Sequence, residues 1–163
     1  MRIRDRTSQA NDAVKTIRNL KAQLADRSKR MTGDGSAVFK RAADDLTTRL
    51  SAVEGDIYQV KNQSSQDPLN YPIRLNNKIA ALAGVVGGSD ARPTSQSYTV
   101  FNDLSAQLDR QLSAMSGALL VLPSINATLK LAGLPAIVPS TAEIKTAPGG
   151  APSAARDDLG KER

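Results

Sequence analysis

Apolar residues recur along most of this chain at steps of three and four, the spacing that gathers side chains onto one stripe of a helix. Ala10, Ala13, Ile17, Leu20 and Leu24 form the first stripe and predict a helix from Ile3 to about Met31. Thr32-Gly33-Asp34-Gly35 ends it, and Ser36 stands where a hydroxyl can cap the next helix. That second helix is expected from Ser36 to Gln63, with Phe39, Ala42, Leu46, Val53, Ile57 and Val60 inward and Arg41, Asp45, Arg49 and Asp56 mostly outward. A third, starting at Pro72, carries Leu75, Ile79, Leu82 and Val86 until Gly87-Gly88. A fourth, capped by Asp90 or Thr94 with Pro93 in its first turn, carries Tyr98, Phe101, Leu104, Leu108, Leu112, Met115 and Leu119. Pro123 interrupts it, and Ser124 to Ala132 reads as a short fifth helix with Ile125, Leu129 and Leu131.

The periodicity fails in one central stretch, Gln66-Asp67-Pro68-Leu69-Asn70-Tyr71-Pro72, where two prolines force extended geometry. Helices one, two and four have the length for ~42 Å each and the third only ~22 Å, at 1.5 Å per residue. An extended strap from Ser64 to Tyr71 would reach about 20 to 25 Å, so it is expected to lie along the bundle and complete the short helix's column. In it Leu69 and Tyr71 would plug a groove while Asp67 and Asn70 bond exposed backbone, and Asn76 or Asn77 would point inward to satisfy strap carbonyls. The fold class is therefore all-α: an up-down four-helix bundle with one half-length helix behind a Pro/Asn strap, and a short C-terminal helix. Residues 1–139 form the expected domain. Within it Leu134 to Pro139 is an apolar extended tail expected to cap one end, so that deleting it would cause aggregation. The Ala-, Pro-, Gly- and Ser-rich residues 140–163 have the composition of a disordered terminus.

Composition agrees with helices, since only three Tyr, two Phe and no Trp are available to a sheet. The absence of His and Cys removes the commonest general base, thiolate metal ligands and the Glu-x-x-His pairs of di-iron bundles, so no metal or other cofactor is expected. Asp44, Asp45, Glu54 and Asp56 are the carboxylates of helix two, and their spacing is that of a solvated charged face rather than of an acid-base pair. No apolar leader follows Met1, and no run matches the ~18–20 apolar residues of a membrane span, the longest being Ala118 to Leu122. A soluble, non-enzymatic chain is expected.

Charge is concentrated. Residues 1 to 31 hold nine Lys/Arg and three Asp, which accounts for the whole formal charge of +6. Lys15, Arg18 and Lys21 could track a polyanion such as nucleic acid or an anionic glycan. The alternative is a solvated face whose acidic complement lies on a neighbouring helix. A second surface feature is Leu119-Leu120-Val121-Leu122, apolar on every face, which must be buried all round or dock against something.

The segment Asp67-Pro68-Leu69-Asn70-Tyr71-Pro72-Ile73-Arg74-Leu75-Asn76-Asn77-Lys78 resembles the helical C-terminal region of large bacterial sortilin-like proteins. Their chains begin with BNR-type (Asp-box) β-propellers and are often labelled glycosyl hydrolase or sialidase-like. The likeness extends from Ile3 to Pro139 and takes in Arg4-Asp5-Arg6, Asn11-Asp12-Ala13-Val14, Asp90-Ala91-Arg92-Pro93-Thr94, Phe101-Asn102-Asp103-Leu104 and Ala132-Gly133-Leu134-Pro135. It implies a helical bundle that packs against, spaces or oligomerises a propeller, and export of the parent from the cytoplasm. No functional residue carries over from the resemblance. Two functions are thus expected in order: a non-catalytic interaction module whose partner is a propeller or another copy, then a polyanion binder acting through helix one.

Overall fold

The computed structural model describes residues 2–61, 70–88 and 92–142. Five helices appear in the order α1 (Ile3–Arg30), α2 (Ser36–Ile57), α3 (Leu75–Gly87), α4 (Ser95–Leu119) and α5 (Leu122–Leu131), with no strand among the described residues. The all-α bundle read from the periodicity is the fold, with the third helix about half the length of the first.

The helices pack in an order that periodicity does not specify. α1 and α4 each lie against both α2 and α3, whereas α2 and α3 hardly touch. Arg18 and Lys21 of α1 reach Glu54 near the end of α2, so these two helices run antiparallel. Asn11 of α1 meets Asn76 at the start of α3, about two to three turns further toward the α1 N-terminus. The end of α2 and the start of α3 come together at a cleft of about 340 Å3, lined by Asp56, Pro72, Leu75 and, from α4, Gln107 and Gln111. α3 therefore continues the column that α2 begins. Their 22 and 13 residues span ~53 Å, close to the ~55 Å of the 37 residues from α4 through α5. α2 thus stands in line with the short helix, in the column that the strap was expected to complete. Asp67, Pro68 and Leu69 of that strap lie outside the described residues, while Asn70 and Pro72 are exposed and Tyr71 is half-buried beneath the Lys61 ammonium, 5.5 Å from its ring centroid.

α2 stops at Ile57, six residues earlier than expected, and Tyr58 is extended. Gly55 weakens its last turn, and one turn further the column belongs to α3. Leaving the helix here buries Gln59, whose Nε2 donates to the Pro72 carbonyl at 2.9 Å, and leaves Val60 50% exposed rather than inward. The carbonyls of 62–69 that Asn76 or Asn77 was expected to satisfy lie outside the described residues. Asn76 does point inward, but its Oδ1 accepts the Asn77 amide at 2.7 Å and its Nδ2 faces Asn11 Oδ1 at 3.5 Å, while Asn77 is exposed.

One continuous core runs the length of the bundle. Ala10, Ala13, Ile17, Leu20 and Leu24 are buried as predicted and meet Phe39, Leu46, Leu50, Ile57, Ile79, Leu108 and Leu129. Tyr98, expected inside, is 45% exposed near the free end of α4. The Ser105 hydroxyl is buried without a hydrogen-bond partner among the described residues.

Three helix ends differ from their expected form. Ser36 is the first residue of α2 rather than its cap, and its hydroxyl donates to the Met31 carbonyl at 3.2 Å. Pro72 and Pro93 precede α3 and α4 instead of opening them, whereas Pro123 does open α5. Thr94 caps α4, its Oγ1 accepting from the Ser97 amide at 3.2 Å.

α5 ends in a complete Schellman motif: Leu134 N donates to Leu129 O at 2.9 Å, Gly133 N donates to Lys130 O at 3.1 Å, and Gly133 sits at φ +68°. That motif turns the chain back along α1. The segment Leu134–Ala142 is therefore no end cap. It lies beside the C-terminal half of α1, reaching Asn19, Gln23 and Arg27, and this course continues past Pro139 to Ala142. Residues 143–163, most of the terminus expected to be disordered, lie outside the described residues.

Candidate functional site

Three places merit attention: the basic face of α1, the α4–α5 junction, and the groove that holds the tail. The first is partly ion-paired within the fold. Glu54, expected on a solvated face, is 4% exposed because it lies four residues after Leu50 and three before Ile57, on the buried stripe of α2. Its carboxylate accepts from Arg18 Nε at 2.7 Å and from Lys21 Nζ at 3.1 Å. The Arg18 guanidinium also lies over the Tyr58 ring at 4.8 Å. Of the three cations expected to bind a polyanion, only Lys15 stands exposed with no ion pair among the described residues. Elsewhere on α1, Arg6 forms a bidentate pair with Asp109 of α4, at 2.7 and 3.0 Å, and Arg27 and Arg30 pair with Asp26. Neighbouring helices thus supply two carboxylates, Glu54 and Asp109, to the basic helix, while Asp26 is its own, and Arg4, Lys15 and Lys29 have no ion pair among the described residues.

Three of the four carboxylates considered for catalysis have side-chain partners. Asp45 pairs with Arg49 at 3.1 Å, Asp56 accepts from Gln111 at 3.1 Å, and Glu54 serves α1. Among the described residues no cluster of three metal-ligating side chains occurs. Arg74, Lys78 and Arg110 line the cleft at the α2–α3 junction, all exposed.

At the α4–α5 junction the four apolar residues separate. Leu122 is buried, Leu119 and Val121 are half-buried against the core, and Leu120 is 81% exposed. The turn is thus not buried all round. Leu120 and Val121 keep nearly helical dihedrals (φ −60°, ψ −18° and φ −81°, ψ −15°), so the helical face continues across the break. Leu131, three turns further on, falls on the face of Leu120 and is 91% exposed. It borders a shallow cleft formed with Met31, Gly35 and Thr128. Beside it, Pro123, Ala127, Leu134 and Ala136 line a second, more open cleft of about 550 Å3 between α5 and the tail.

The column as a whole is under-buried. Ser95–Leu131 contains an 18-residue window of mean hydropathy 1.5, of which 22% is buried within the chain. By length and composition it passes as a candidate membrane span although no uninterrupted apolar run in it reaches that length, since Ser, Asn and Thr are interspersed and the helical path continues across Leu120 and Val121.

The tail groove was not legible as a site. Gln23 and Asn126, each beside a core leucine or isoleucine, grip consecutive residues of the tail from opposite sides. Asn126 Oδ1 accepts from Ile137 N at 2.8 Å and its Nδ2 donates to Ile137 O at 3.0 Å. Gln23 Oε1 accepts from Val138 N at 3.0 Å and its Nε2 donates to Val138 O at 2.8 Å. Arg27 Nε donates to Pro135 O at 2.9 Å and Asn19 Nδ2 to Ala142 O at 3.1 Å. The only available signal was the placement of amide side chains on otherwise apolar stripes. An amide there can satisfy a donor and an acceptor at once.

No protein-family model, curated protein or solved structure matches this chain. What fold and surface define is an all-α helical bundle whose basic first helix is partly ion-paired within the fold and whose α4–α5 column exposes Leu120 and Leu131 on one side.

Proposed function

We propose that this chain is a non-catalytic interaction module, the helical bundle of a sortilin-like β-propeller protein, which docks through the outer face of α5. The observation that carries the reading is the poor burial of an apolar column: 22% of its most apolar window is inside, with Leu120 and Leu131 projecting from one face. The two leucines stand about 16 Å apart on one side, with Ser124, Ala127 and Thr128 between them, a strip that a partner surface could cover. The motif from Asp67 to Lys78 supplies the family side of the proposal, and a propeller of the parent chain or a second copy is the partner it suggests. Engagement of Glu54, Asp45 and Asp56 in ion pairs and hydrogen bonds supports a structural rather than an acid-base role for them.

Replacing Leu120 and Leu131 together by Glu tests the docking face. Light scattering after gel filtration should show concentration-dependent association of the parent sequence and a monodisperse monomer for the double variant, with unchanged helicity. A parent chain that is monomeric up to high concentration, neither partitions into lipid vesicles nor binds an apolar dye, and matches the variant throughout would remove the surface from consideration. Partition of the parent into vesicles would assign the face to a membrane instead.

A further inference from the structure

The cleft where α2 gives way to α3 follows from the break in their shared column. α2 ends at Ile57 and α3 begins at Leu75, so a gap of about 340 Å3 opens between the two helix ends, with α4 along its side. Its edge is held from beneath. The buried Gln59 donates from Nε2 to the Pro72 carbonyl at 2.9 Å, and Leu75 is anchored in the core. The volume lies at the lower end of the ~300–1,000 Å3 usual for small-molecule sites.

Charge converges on this gap from two helices. Lys78 N donates to Arg74 O at 3.0 Å, so the Arg74 and Lys78 side chains leave one side of α3 a turn apart. Arg110 lines the same cleft from α4, beside Gln107. Arg74, Lys78 and Arg110 have no ion pair among the described residues. Asp56 is the single carboxylate of the lining, and Gln111 Nε2 donates to it at 3.1 Å. The concavity is therefore left with an excess of two positive charges. Pro72 and Ile73 add an apolar wall, Ile73 being 41% exposed although it is a large aliphatic residue.

We propose that this cleft binds a phosphate monoester of a small molecule. Arg74, Lys78 and Arg110 bind the phosphoryl oxygens, Gln107 is a further donor, and the organic group of the ester packs on Pro72 and Ile73. A dianion matches the two uncompensated charges, and each guanidinium presents paired N–H donors in the fork that suits an oxyanion. The site shares no lining residue with the outer face of α5, and it does not rest on the family likeness.

Titration of phenyl phosphate into the isotope-labelled full chain, at an ionic strength held constant with sodium chloride, tests it by amide chemical shifts. Amides within 72–78 and 107–111 should move together along one saturable curve. Arg74→Ala with Arg110→Ala, both exposed positions, should weaken binding by about tenfold or more at unchanged helicity, since two charge-assisted forks are lost. Lys15→Ala on α1 should leave the affinity within about twofold, as expected for a distant, screened charge. Inorganic phosphate should move the same amides but bind about threefold or more weakly, because it leaves the apolar wall uncovered. Shifts that do not saturate, shifts spread over the cations of α1 instead, or an affinity untouched by the double variant would overturn the site. Equal affinity for inorganic phosphate would overturn its assignment to an ester.

Discussion

At the scale of single residues, Glu54 decides how the basic charge of this protein is read. A carboxylate almost wholly removed from water holds α1 to α2 through two cations that themselves stay partly solvated, Arg18 at 53% and Lys21 at 31% side-chain exposure. Breaking a fully buried pair costs about 3–5 kcal/mol and an exposed one under about 1, so Glu54→Ala is expected to cost about 1–3 kcal/mol. Arg18→Ala should cost less, since Lys21 remains. Urea unfolding of the two single variants and the double variant measures this. A coupling energy near zero between Glu54 and Arg18 would show that the contact contributes nothing to stability. The position was readable in principle: Leu50, Glu54 and Ile57 keep the four-three step of the buried stripe. Treating every carboxylate on α2 as outward-facing concealed it.

At the scale of elements, periodicity located all five helices and most of their inner stripes, because the core is continuous and each helix buries a single face. The ends were less legible. Local signals for caps and turns compete with tertiary contacts that lie elsewhere in the chain. Ser36 and Thr94 carry similar cap signals, yet only Thr94 accepts from its own helix, while the Ser36 hydroxyl turns back to Met31. Thr94→Ala is therefore expected to cost about 1 kcal/mol, the usual value of a lost N-cap. Ser36→Ala should cost only a few tenths, in the range of a surface substitution. Thermal unfolding of the two variants checks the contrast, and equal losses would contradict it. The end of α2 shows the same competition. Val60 continues the stripe in sequence, but the chain turns extended at Tyr58, Gln59 is buried against the Pro72 carbonyl, and Val60 is left exposed.

At the scale of the whole molecule, the arrangement of columns and the tail groove were beyond sequence patterns for one physical reason. Both depend on which surfaces meet after the chain reverses, and apolar stripes of similar width can be paired in several orders. Ile137 looked like part of an apolar end cap, and only the Schellman turn at Gly133 sets it against α1 instead. The exposed face of α5 was partly legible, since Leu119 to Leu122 marked the junction. The sequence did not distinguish Leu120, which projects, from Leu122, which does not.

The central claim is that this bundle works as the interaction domain of a larger propeller protein. The mass of the native polypeptide in its source cells tests it most directly, using immunoblots of cell and secreted fractions with an antibody raised to this domain. The account predicts a band several times the 17.3 kDa of this chain. A single band near that mass would contradict it, and would make the bundle a protein acting alone.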